Sequence, residues 1–172
     1  FQGGIVGQQH RVPVTFNTGQ ILLGLTAGTK EFGDQYREPM QKAADWLANS
    51  QDADGCWRKY RTPFASPDDK AYETHVSWGL FEAARVDGNP GWGEAGLRQV
   101  HWALTKQRAN GWMESCCLSN PLRPLTHTLG YALRGILEAW RFSQIDDFLA
   151  AGRCLGDGLL TAHRPDGSLP GE

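Results

Sequence analysis

The sequence predicts an all-α protein built as an array of three antiparallel helix pairs. One short phrase recurs as Asp54-Gly55-Cys56-Trp57, Asn110-Gly111-Trp112-Met113 and Asp166-Gly167-Ser168-Leu169, with 56 residues between successive glycines. Other positions keep the same phase: Thr18 with Thr74, Trp46 with Trp102, Gly79 with Gly135, Glu82 with Glu138, and Arg85 with Arg141. Self-similarity at one period marks a chain made of repeated supersecondary units. In addition, no stretch alternates apolar and polar residues for long enough to require a sheet.

The units are residues 1–56, 57–112 and 113–168 of a single segment covering 1–172. Each opens with a helix, at Thr18–Thr26, Thr74–Val86 and Thr128–Phe142. Apolar or small residues recur there at helical spacing, as in Val76, Gly79, Leu80 and Ala83 or Leu129, Leu133, Ile136 and Leu137. A second helix follows at Arg37–Asn49, Gly93–Lys106 and Asp146–Ala162. Asp-Gly or Asn-Gly then ends the pair, because these residues tolerate the left-handed and turn conformations that stop a helix.

The connections are unequal. Within a unit the link is short and rich in breakers, as in Asp87-Gly88-Asn89-Pro90-Gly91. Between units the paths from Trp57 to Tyr72 and from Met113 to Leu125 are long, irregular and rich in Pro, Ser and charge. Long structureless connections in a compact domain are usually functional or disordered. All run from a second helix to the next first helix, so they share one rim.

Gln51-Asp52-Ala53-Asp54-Gly55-Cys56-Trp57 resembles the Q-x-x-D-G-x-W repeat of the terpenoid cyclase and protein prenyltransferase superfamily. The second unit keeps Gln107, Gly111 and a displaced Trp112, and the third keeps Asp166-Gly167. The helix pairs also resemble six-hairpin glycosidase toroids, and Phe16-Asn17-Thr18-Gly19-Gln20 with Leu125-Thr126-His127-Thr128 resembles squalene-cyclase-like bacterial proteins. The resemblance implies an α/α toroid, an inner ring of first helices inside an outer ring of second helices. One toroid hosts many chemistries, so it does not assign a reaction. The D-x-D-D acid motif of class II terpene cyclases is missing, since Asp52-Ala53-Asp54 runs into Gly55. The zinc set of prenyltransferases has only a distant match in Glu114-Ser115-Cys116 with His127.

A net charge of −2 and a pI near 6.2 provide no basic field for nucleic acid. No apolar run approaches the ~20 residues of a membrane span. A chain of 172 residues suffices for one domain that buries roughly 70% of its unfolded surface. Cys56, Cys116, Cys117 and Cys154 form no disulfide framework and no signal peptide is seen, which points to the cytoplasm. Four metal ligands at suitable spacing are lacking, so neither metal nor cofactor is expected and the thiols read as buried and inert.

Positions equivalent under the repeat nominate the chemistry. Allowing for a one-residue slip in the first unit, Gln20, His75 and Tyr131 form one column of the inner helices, and Leu23, Trp78 and Arg134 the next. Glu73 and Glu114, near His75 and His127 on the long-loop rim, are the acid–base candidates. Glu82 and Glu138 each precede an arginine by three residues and read as local ion pairs. Arg58, Lys59 and Arg61 share the rim with the N-terminal ends of the first helices, whose free N–H groups would favour an anion. Asn17 with Gln20 suggests a capping-box-like start.

Stacking groups mixed with hydrogen-bonding ones suit a polyhydroxylated ring, so the expected ligand is a small molecule or oligosaccharide, including an acidic one. A carbohydrate-active hydrolase, lyase or epimerase, a terpenoid or prenyl-diphosphate protein, and a non-catalytic binding repeat all stay open. Three pairs are also expected to belong to a longer array or to self-associate, since an open array exposes the faces of its terminal units.

Overall fold

The computed structural model describes residues 2–3, 12–63, 65–66 and 69–171. Two-residue strands β1 (Gln2–Gly3) and β2 (Val12–Pro13) pair antiparallel ahead of six helices. These are α1 (Thr15–Phe32), α2 (Arg37–Asn49), α3 (Thr74–Asp87), α4 (Pro90–Leu104), α5 (Thr126–Ser143) and α6 (Asp146–Thr161). In the inner layer α3 lies between α1 and α5, while α2, α4 and α6 each pack outside their own first helix.

α1 is longer than its sequence suggested, because Gly19, Gly24, Gly28 and four threonines dilute its apolar signal. Its threonine hydroxyls donate back to the preceding turn: Thr18 to the Val14 carbonyl at 2.8 Å, Thr26 to Leu22 at 2.8 Å and Thr29 to Leu25 at 2.9 Å. Gly19 is required by packing, since a Cβ there would lie 2.8 Å from the Val76 side chain. The expected capping box does not form. Asn17 is already inside the helix, and Val14, at the N-cap, has no side chain able to accept a hydrogen bond. By contrast α4 begins at Pro90, where a missing N–H costs nothing, with Asn89 accepting from the Gly91 amide at 3.0 Å.

The three turns repeat bond for bond. The Gly55, Gly111 and Gly167 amides donate to the carbonyls of Asp52, Arg108 and Arg164 at 2.9, 2.9 and 3.0 Å. The side chains of Asp54, Asn110 and Asp166 accept from the amides of Cys56, Trp112 and Ser168. All three glycines have a left-handed φ, 95°, 85° and 86°. Gln51 Nε2 donates to the carbonyls of Gly55 and Ala95, both at 2.8 Å, and Gln107 Nε2 does the same to Gly111 and Ala151 at 3.1 and 2.9 Å. The motif glutamine thus ties its own turn to the second helix of the following unit.

Apolar burial lies astride the joints. One core joins Leu22, Met40 and Leu47 to Trp57, Val76, Leu80, Trp92 and Ala95 of the next unit. The other joins Phe81, Val100 and Trp102 to Met113, Leu129, Ile136, Phe148 and Leu155. A single pair cannot bury its own apolar face, and its neighbour completes the core.

Candidate functional site

Thr15, Ala71 and Thr126 begin the inner elements, and their amides donate to the carbonyls of Tyr60, Ser115 and Gly171 at 2.8, 3.1 and 3.1 Å. Each unit's entry is thereby fastened to the loop leaving the same unit. The first amide of each inner element is thus taken by the chain itself.

At this rim the long loops and inner helices enclose a cleft of about 260 Å3, lined by Phe16, Asn17, Thr62, Tyr72, Leu118, His127, Thr128 and Tyr131. Phe16 is its hub, with ring centroids 5.6 Å from Tyr72 and 5.3 Å from Tyr131. His127 is exposed and meets Tyr131 edge-on at 6.0 Å. His75 lies behind, 6.2 Å from Phe16 and 4.9 Å from Tyr131, with its Nδ1 buried and unpartnered. Burial, assisted by the positive charge of Arg134, lowers His75 from 6.5 to about 4, so the ring is neutral near pH 7.

The ring contacts continue inward from His75 to Trp78 at 5.3 Å, and the Arg134 guanidinium covers the Trp78 ring at 4.0 Å. Trp78 and Arg134 line a different cavity, of about 470 Å3, toward the C-terminal ends of the inner helices. It is charged: Lys30 reaches Glu82 at 2.7 Å, and Arg134 and Arg141 hold Glu138 at 2.7 and 2.9 Å. Glu82 also pairs with Arg85, so the local ion-pair reading of both glutamates holds and extends to Lys30 and Arg134.

Other candidates are tied up. Arg58 bridges Asp52 at 2.8 Å and Asp54 at 2.6 Å and approaches Asp69 at 3.7 Å. Its hydrogen bonds hold Asp54 down at about 2. Glu114 accepts from Arg108 at 2.9 Å and so pins a loop. Lys59 is exposed and rests over its neighbour Tyr60 at 5.0 Å. Gln20 lines neither cavity, and its Nε2 is buried without a partner.

Glu73 departs most from expectation. It is 2% exposed, its Oε2 has no partner, and burial raises its carboxyl well above the ordinary value despite the opposing charge of Lys70. Lys70, not nominated from sequence, is equally buried, with Nζ 3.4 Å from the Leu118 carbonyl and 3.7 Å from Cys117 Sγ. Both lie beneath the rim, and neither lines the cleft. Among the described residues no cluster of three or more His, Cys, Asp or Glu is placed to hold a metal. All four cysteines are free thiols, and burial pushes Cys56 up to about 12. No helix among the described residues is long and apolar enough to cross a membrane.

Sequence reading missed Phe16, Tyr72, Thr62 and Leu118. The signal was present, since Phe16, Tyr72 and Thr128 form one column at the 56-residue spacing and Thr62 and Leu118 form another.

No protein-family profile matches the chain, and no curated protein does. Solved structures do. An unsaturated glucuronyl hydrolase specific for heparin superposes with a TM-score of 0.76 at 13% identity, over 91% of this chain and 48% of that one. A cellobiose 2-epimerase from Bacillus thermoamylovorans gives 0.70 at 12% identity, over 96% and 52%. An ent-copalyl diphosphate synthase from Streptomyces platensis gives 0.66 at 24% identity, over 94% and 29%. The chain thus has the α/α-toroid fold and spans about half the length of the first two.

Proposed function

We propose that the protein binds a saccharide, with one sugar ring seated in the rim cleft. The observation that carries this reading is the lining itself. Phe16 and Tyr131, backed by Tyr72, offer aromatic surface for the apolar face of a pyranose, while Asn17, Thr62 and His127 offer donors and acceptors for its hydroxyls. About 260 Å3 suits one or two rings of a longer chain rather than a folded polyprenyl group. Two of the proteins with the same fold carry sugar-directed names, a glucuronyl hydrolase and a cellobiose epimerase, which agrees with this choice.

Glycoside hydrolysis ordinarily needs two carboxyl groups flanking the bond. The described lining of the cleft holds none, and Glu73 is sealed below it. The reading is therefore binding, with His127 and Tyr131 as polar side chains at the ligand. An acidic saccharide would rely on the exposed Lys59, because Arg58 and Arg134 are already held by carboxylates.

Calorimetric titration with neutral oligosaccharides, uronic oligosaccharides and farnesyl diphosphate tests the proposal. The expected result is binding of a saccharide that Tyr131→Ala weakens at least about tenfold. Binding of the diphosphate alone would replace it with the isoprenoid reading, and binding of none of the three would refute it.

A further inference from the structure

The exposed large apolar side chains are unevenly distributed. Ile21, Phe32 and Tyr36 belong to the first unit, and Leu122, Ile145, Leu160 and Leu169 to the third unit or the turn that closes it. Among the described residues, the middle unit contributes none. The middle unit has a neighbour on both sides, so the pattern points to the faces where a neighbour would sit.

The register tells what each face expects. Trp57, Met113 and Leu169 occupy one position of the repeat; the first two are 2% and 0% exposed and the third is 39%. Trp57 shares a core with Trp92 and Met113 with Phe148, each from the second helix that follows its turn glycine. One period before Trp92 stands Tyr36, at the entrance to α2, which is 37% exposed where Trp92 and Phe148 are 3% and 0%. The turn glycines agree. A Cβ on Gly55 would meet the Arg98 carbonyl at 2.6 Å and one on Gly111 the Cys154 carbonyl at 2.0 Å, whereas Gly167 has nothing within 4 Å. The position matching Arg98 and Cys154 on α2 is Lys42, which is exposed.

From this matched pair of open faces we infer that two copies of this chain associate head to tail, the third turn of each seated on α2 of the other. The joint already seen twice inside the chain would then be made twice more between copies, closing a ring of six helix pairs. The contact is heterologous, yet with two copies it is related by a two-fold axis and ends rather than propagating. The cellobiose epimerase and glucuronyl hydrolase, in which this chain covers 52% and 48% of the length, match such a doubled array in size. One polar contact follows from the register. Trp92 Nε1 donates to Asp45 at 2.8 Å, and the corresponding pair across the new joint is the Tyr36 hydroxyl with Asp157. Asp157 lines an open groove of about 730 Å3 beside Trp112 and Arg153, with room for an incoming side chain. This inference is independent of the saccharide reading.

Light scattering of the 172-residue chain at micromolar concentration tests it. The expected mass is that of two chains, about 38 kDa from 19.0 kDa each. Leu169→Asp should shift the mass to one chain at the same concentration while keeping the helical circular dichroism. A second measurement is independent of that variant's stability. Chains carrying Leu169→Cys, mixed with chains carrying Tyr36→Cys and oxidised, should cross-link to each other and not to themselves. A single-chain mass for the 172-residue chain, an open series of larger species, or no mixed cross-link would each overturn the inference.

Discussion

The motif glutamines at the joints and the polar side chains at the rim of the inner helices are satisfied in opposite ways. At the joints, Gln51 and Gln107 satisfy both of their buried contacts with the same geometry, one period apart. At the rim, Glu73 Oε2 and His75 Nδ1 are buried without partners. One period away they correspond to Asn17 and Leu129, and to Gly19 and Tyr131, so the repeat is abandoned there. Where sequence and hydrogen bonds both repeat, the residues build the array. Where both break, local rules have been relaxed, and such relaxation tends to mark a site rather than a scaffold.

The largest test of this contrast is steric. Gly111→Ala adds a methyl group 2.0 Å from the Cys154 carbonyl at a φ of 85°, so unfolding titrations should show a loss of at least about 3 kcal/mol. Gly167→Ala, with the same backbone and open space around it, should cost only about 1 kcal/mol in the single chain. Equal losses would mean that the joint contributes nothing beyond the turn. Removing the hydrogen bonds comes next. Gln107→Ala strands the Gly111 and Ala151 carbonyls and should cost about 2 kcal/mol, a result near zero implying that water replaces the glutamine.

The rim answers to pH. Glu73 has a raised carboxyl, so above about 4.5 the unfolded chain loses a proton that the folded chain keeps, and stability falls as pH rises, by up to about 1.4 kcal/mol per unit until the folded group also ionises. His75 is lowered, so between about 4 and 6.5 the unfolded chain binds the extra proton and stability rises with pH. The two slopes oppose each other between about 4.5 and 6.5, so in denaturant titrations across pH 4–8 Glu73→Gln should uncover a rise between about 4 and 6.5 and remove the fall above it, while His75→Gln should extend the fall down to about 4.5. Unchanged slopes in both variants would show that water reaches these groups and that the rim is no different from the joints.

How far the sequence could be read follows the same division. Gly55, Gly111 and Gly167 disclosed the turns because a left-handed backbone restricts the residue type wherever it occurs, and the spacing turned three local signals into one architecture. Ends of helices were less legible: α1 outruns its pattern because neighbours hold its glycines and threonines in place, which no local window contains. Loop charges misled for a related reason. Arg58 and Glu114 look free in the sequence, and only the fold brings Asp69 to one and Arg108 to the other side of the same short loop. Phe16 and Tyr72 were overlooked because a buried aromatic and a cleft aromatic have the same sequence signature until a cavity separates them. Glu73 was placed on the right rim at the wrong depth, since proximity to a loop does not determine which side of the backbone faces solvent.

The bonds from Thr15 to Tyr60, Ala71 to Ser115 and Thr126 to Gly171 span about 45 residues each and reach only a few residues past the closing turn of the unit they start from. A unit can therefore close as a loop before its neighbour exists, at an entropic cost that is the same for all three and modest for that length. Burial of the shared cores then couples closed units to one another, as in a one-dimensional chain of spins with favourable nearest-neighbour terms. Such a chain is free to begin ordering at any unit as it emerges during synthesis, and its middle member, gaining two couplings, is the last to open.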